Sequence, residues 1–131
     1  MLFDLMRNGD LGYGANETYF GPYVRVTSST LTPSLKCVQK NDAFTKDDTV
    51  NGNGNLTYPV GLVTADELIA GGASWTSNYD TYLYKGDWYW SMSPGLFNSS
   101  AYAIILNPND YSNSGYVRSV GGVAPVVNLK K

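Results

Sequence analysis

Groups able to make and break bonds are few in this 131-residue chain. Histidine is absent, which removes the commonest general base and the commonest neutral metal ligand together. Cys37 is the single cysteine, so an intrachain disulfide is impossible, and a Ser–His or Cys–His nucleophile pair and a His-based zinc site are excluded. Carboxylates remain. Two of them across a glycosidic bond would suffice for glycan hydrolysis, and Asp66, Glu67, Asp80, Asp87 and Asp110 are the candidates. Only Glu17 and Glu67 are glutamates, and no carboxylate pair stands in a recognisable motif. Asp66 and Glu67 are adjacent, so on a helix they point to different faces. Asp47, Asp48, Asn51 and Asn53 have the composition of a calcium loop, but they lack the glycine position and terminal glutamate of an EF-hand, so a solvated turn is expected. The chain therefore predicts no catalytic residue, no metal ligand and no cofactor; a glycan-acting enzyme is the weakest functional reading.

The elements that must position any site are short. Residues 1–8 have apolar side chains at positions 2, 3, 5 and 6 and stop at Gly9, which predicts a short helix. Residues 19–27 (YFGPYVRVT) predict a strand interrupted by a Gly21-Pro22 turn, with Val24 and Val26 on one face. Residues 35–38 predict a short strand or turn, and residues 41–55 a polar loop in which Asn51-Gly52 and Asn53-Gly54 turn the chain. Thr64 and Glu67 form a capping-box pattern that starts a short helix ended by Gly71-Gly72, with Asp66 matching the helix dipole. Residues 79–84 and 87–92 predict strands, residues 91–95 a turn entry, and residues 101–106 (AYAIIL) a central strand. Turns are expected at 107–110 and 112–115, then strands over 116–120 and 123–129. Trp90, Met92, Ile104, Leu106, Val126 and Leu129 are the expected core. Trp75 and Trp88 suit either a core lid or an exposed contact.

Composition narrows the class. Hydrophobic residues make up 43%, enough for one core, and the length fits a single domain over residues 1–131. Only 15% of residues are charged, whereas tyrosine occurs 11 times among abundant Asn, Ser, Thr and Gly. That mixture suits strands and ordered loops, and it is also the mixture of a paratope, where Tyr gives rigid contact area and Ser, Asn and Gly adapt their hydrogen bonds. Net charge is −2 with no basic run, so a nucleic-acid partner is not expected. No apolar stretch approaches the ~18–20 residues that cross a bilayer as a helix, and no direct membrane insertion is expected. Residues 1–7 are too short and too acidic for a signal peptide; an export signal is expected outside this chain, which then would be a piece of a longer surface protein.

Three segments carry a family resemblance. They are YPVGLVTADE at 58–67, YWSMSP at 89–94 and GVAPVVNL at 122–129. Together they resemble bacterial and phage surface proteins of the C-type-lectin-like, formylglycine-generating-enzyme-like superfamily, over roughly residues 58–129. Members show a W-S-x-S or W-x-x-S-P element, a variable Tyr/Asn/Ser-rich stretch and a closing G-V-R-P-V-[IV]-N-L strand. Ala124 stands where that pattern has arginine. The enzyme branch needs a cysteine pair that Cys37 alone cannot supply. The sugar-binding branch needs Glu-Pro-Asn or Gln-Pro-Asp calcium ligands, which do not occur; Pro108-Asn109-Asp110 comes nearest and reads better as a turn. The resemblance implies an α+β, C-type-lectin-like fold: short twisted antiparallel strands, one or two short helices and much irregular loop. It also implies a rigid scaffold with a changeable surface. Several relatives are diversified by retroelements that mutate adenines, and residues 96–118 are rich in the types that mutated Asn codons yield.

The expected ligand surface is Leu96, Phe97, Asn98, Ser99, Asn107, Asn109, Asp110, Tyr111, Asn113, Tyr116 and Arg118. Phe97 and Tyr111 would supply desolvated contact, Asn and Ser the rim, and Arg118 a bidentate contact to a carboxylate. The leading expectation is a receptor- or adhesin-type domain at a cell or virion surface, binding a protein or glycan ligand on another cell or host. A structural tip or capping domain without its own ligand is the alternative.

Overall fold

The computed structural model describes residues 17–27, 32–36, 43–74, 81–83, 86–107 and 112–127. The elements are β1 (Glu17–Tyr19), α1 (Gly21–Thr27), β2 (Val60–Leu62), α2 (Ala65–Ala70), β3 (Tyr89–Asn98), β4 (Ala101–Leu106), β5 (Ser112–Tyr116), β6 (Gly122–Val123) and β7 (Pro125–Val127). The architecture is α+β: a five-stranded sheet, a separate two-stranded ribbon, two short helices and much loop. In the large sheet β1, β3, β4 and β5 lie side by side and antiparallel. β6 adds in parallel beside Tyr89 and Trp90, and β2 pairs antiparallel with β7. The helix expected over residues 1–8 lies outside the described residues, as do Trp75, Leu129 and the turn at 108–110.

The α2 start follows its sequence signature. The Thr64 side chain accepts the Glu67 N–H, Glu67 Oε2 accepts the Thr64 N–H at 2.8 Å, and Gly71 caps the other end. The segment 19–27 departs from its expectation, because only Tyr19 is strand and Gly21–Thr27 is the helix α1. Pro22 sits in the first turn, where a missing N–H costs nothing, and the ladder opens with the Val24 N–H donating to the Phe20 carbonyl at 3.2 Å. Val24, Val26 and Thr27 are β-branched and favour strands locally. Burial of Val26 against Ala65, Ile69 and Ile104 overrides that preference.

The core lies between the helices and one face of the sheet. Val26, Ala65, Ile69 and Ile104 form one cluster; Val63, Leu68, Ala73, Tyr89 and Leu106 form another. Leu68, Ile104 and Leu106 are fully buried, each contributing roughly 1.5–3 kcal/mol of apolar transfer. Ile104 and Leu106 thus take their expected places. Trp90 and Met92 do not: strand alternation puts Tyr89, Ser91 and Ser93 on the core side and leaves Trp90 and Met92 half-buried on the opposite face. Val126 is 41% exposed, on a two-stranded ribbon whose β7 residues are all exposed.

Residues 91–95 are strand rather than turn entry, and their serines explain why. Buried Ser91 donates to the Ile104 carbonyl at 2.7 Å and accepts the Ser93 N–H, while Ser93 Oγ accepts the Ala65 N–H at the start of α2. Two irregularities in the β3–β4 register absorb Pro94 and Gly95. Likewise Ser112–Tyr116 is an edge strand rather than a turn, because the β4 ladder satisfies its backbone. The chain turns after it, at 117–119, where a strand was expected. Among the described part of 79–84, residues 81–83 form no strand; Thr81 Oγ1 instead donates to the Gly71 carbonyl. Residues 35 and 36 form no strand either.

Candidate functional site

The two carboxylates with the best chemical credentials are occupied structurally. Asp66 is 1% exposed; its oxygens accept Arg25 Nε at 2.8 Å, Arg25 Nη2 at 2.9 Å and the Ser34 N–H at 2.8 Å. Dipole matching therefore understates its role, which is to join α1, α2 and the segment 32–36. Glu67 closes the capping box. In the polar loop, Asp48 Oδ1 accepts the Val50 and Asn51 amides at 2.9 Å and Oδ2 accepts Asn51 Nδ2 at 3.0 Å. Its oxygens thus serve the turn, and among the described residues no group of three or more Cys, Asp or Glu comes together.

The expected ligand residues divide into sets that the sheet register separates. Ser99 and Ser100 link β3 to β4, with Ser99 at φ 66° and the Asn98 N–H donating to the Ser100 carbonyl at 3.1 Å. Phe97 pairs with Ala101 and is 45% exposed. Leu96 is one residue earlier and points to the other face, beside its partner Tyr19; at 8% exposure it is a packing residue, a correction to its place in the ligand surface. Tyr116 pairs with Tyr102, so these rings share the Leu96 face and lie opposite Phe97. Asn107 follows Leu106 at the far end of β4, roughly 16 Å along the strand from Tyr102, and Asn113 pairs with Ile105 near that end. The eleven residues are therefore not one patch. Asn109, Asp110 and Tyr111 lie outside the described residues.

The hairpin end nevertheless holds an ordered aromatic and cationic group. Tyr102 and Tyr116 have ring centroids 4.4 Å apart and planes tilted by 34°. The Arg118 guanidinium lies 5.2 Å from the Tyr116 centroid, within cation–π range. A side-chain hydrogen bond with Tyr116 raises the Tyr102 phenol above its ordinary value; desolvation and the Tyr116 charge add to this, and Arg118 opposes it. On the same face Tyr19 contacts Tyr23 of α1, centroids 5.4 Å apart. Tyr19, Leu96, Tyr102 and Tyr116 thus make a row across β1, β3, β4 and β5, with Arg118 at one end. Tyr102 was missing from the expected site. Its alternation with Ile104 and Leu106 marks it as core-facing, and only the short reach of the helices leaves it half-exposed.

The other face carries Phe97 and Ala101, then Pro94 and Ala103, then Trp90 and Ile105. Trp88 meets Trp90 edge to face at 5.2 Å. A Cβ at Gly121 would fall 2.1 Å from the Trp88 ring, so this glycine exists to let the indole in. Elsewhere, an open cavity of about 440 Å³ is bounded by Leu35, Val63, Glu67, Tyr82, Leu83 and Val126. No helix among the described residues is long and apolar enough to cross a membrane. No protein-family model, curated protein or solved structure matches the chain.

Proposed function

We propose that this chain is a non-catalytic ligand-binding domain of C-type-lectin-like fold, displayed at a cell or virion surface, that engages a protein or glycan ligand through the β3–β4 hairpin end. The observation that carries the reading is the Tyr102–Tyr116–Arg118 stack, half-exposed and held on paired strands. Large rigid rings on a fixed backbone bind at low entropy cost, and Asn98 and Ser99 beside them supply adaptable polar contacts. The α+β architecture, the long β3 bearing the WSMSP element and the terminal ribbon are consistent with the lectin-like scaffold. Adenine-directed diversification of residues 96–118 belongs to the same reading. Sequencing sibling gene copies tests it: substitutions should gather at exposed Asn-codon positions in that stretch, while Ser91, Ser93, Leu96 and Ile104 stay fixed. Evenly scattered changes, or an invariant stretch, would remove diversification and favour a fixed ligand.

One observation favours the structural-tip alternative. Val120, Val123 and Val127 are 96%, 66% and 57% exposed along the β6–β7 segment, an apolar run of the kind that an assembly covers. A chain that stays monomeric and shows saturable binding argues for the receptor reading.

A further inference from the structure

We infer that the Arg118 end of the tyrosine row is a carboxylate-recognition site for a protein partner, which presents an acidic side chain flanked by apolar or aromatic neighbours. This rests on the ligand face proposed above and names what that face selects. Among the described residues, Arg25 and Lys46 each have a carboxylate partner, Asp66 and Asp47, whereas no described carboxylate lies within ion-pair distance of exposed Arg118. Its guanidinium rests on the Tyr116 ring, and Tyr116 is itself fixed by Tyr102. Holding the guanidinium over the ring leaves N–H donors of its fork for a carboxylate, which the fork matches with two parallel bonds. Part of the ordering cost is met before any ligand arrives, which favours tight capture over a floppy surface cation.

The surroundings indicate a protein rather than a small molecule. Tyr102 and Tyr116 sit side by side on the paired strands β4 and β5 with Arg118 beside them, while Leu96 and Tyr19 continue the row as packing against α1. The 440 Å³ cavity is lined by other residues, so among the described residues no enclosed pocket of that size adjoins this group. Two exposed or half-exposed tyrosines beside one arginine are the residue usage of protein interface centres, where Tyr and Arg dominate the energy.

The test uses the whole chain. A displayed library of random linear peptides is panned on it, and winners are measured by biolayer interferometry against wild type, Arg118→Gln, Arg118→Lys and Tyr102→Ala, with circular dichroism confirming each fold. Winners should carry Asp or Glu beside an aromatic or aliphatic residue and perturb amide shifts in β4, β5 and residues 117–119. They should lose about 10- to 100-fold on Arg118→Gln, as expected for a charge-assisted pair, and less on Arg118→Lys. Winners that map to these strands without an acidic residue, and bind Arg118→Gln as well as wild type, overturn the carboxylate inference and leave the ligand face standing. Winners that map elsewhere overturn both. If panning yields nothing while sialyllactose or a glucuronate oligosaccharide binds in an Arg118-dependent way, the protein source is overturned in favour of an acidic sugar.

Discussion

At the scale of single residues, Asp66 ties together α1, α2 and the segment 32–36 through one carboxylate. It is fully buried, yet two nitrogens of Arg25 and the Ser34 amide saturate its oxygens. Such an arrangement tolerates loss of one partner badly, because the other charge stays behind in a poorly hydrated place. Asp66→Ala should therefore cost about 3–5 kcal/mol, measured by urea denaturation, and should loosen α1 rather than change any ligand affinity. A loss below about 1 kcal/mol would mean that water replaces the carboxylate. The same residue shows what a linear reading misses. The adjacent carboxylates Asp66 and Glu67 suggested helix-start chemistry, and Glu67 has that role. The Arg25 partner of Asp66 is 41 positions away, and no local pattern announces a pair at that distance.

At the scale of elements, α2 is only six residues long and cannot hold itself together by propensity. It persists because its first turn is satisfied three ways: Thr64 and Glu67 serve each other, and Ser93 accepts the Ala65 amide. Thr64→Ala should cost about 1 kcal/mol, whereas Glu67→Gln should be nearly neutral, since glutamine also closes a capping box. Thermal unfolding of the two variants distinguishes them, and equal losses would show that the Glu67 charge matters more than its geometry. The capping box was legible because its donors and acceptors are three residues apart. The strand assignments of Ser91–Gly95 and Ser112–Tyr116 were not, because Ser, Asn, Pro and Gly prefer turns when taken locally. Neighbouring strands decided those cases: Ser91 and Ser93 find buried partners in β4 and α2, and β5 pairs residue by residue with β4.

At the scale of the whole molecule, two tyrosines report on the integrity of the core. Burial raises the phenols of Tyr89 and Tyr23 above their ordinary value, with the Tyr19 charge adding at Tyr23. Tyr89 also donates to the Leu83 carbonyl at 2.8 Å. Because the folded state holds these protons more tightly than the unfolded chain, their contribution to stability is intact below about pH 10 and is lost as pH rises through the raised values. Ultraviolet titration should show Tyr89, Tyr23 and the hydrogen-bonded Tyr102 ionising late, with unfolding setting in as Tyr89 and Tyr23 lose their protons; normal ionisation of all 11 tyrosines in the folded state would contradict this. The sequence alone determined the mixed α+β class, the α2 start and stop, the central strand β4 with Ile104 and Leu106 inward, and the scarcity of catalytic groups. Each of these follows from residue type or from spacing within about one turn or one strand. Only the tertiary structure decided that α1 is helical, that Asp66 is a buried latch, and that Leu96 packs inward while Tyr102 joins Tyr116 and Arg118 at the hairpin end. Those outcomes depend on which faces meet and where the helices stop covering the sheet. Faces and coverage are properties of long-range register and burial, to which local residue preference is blind.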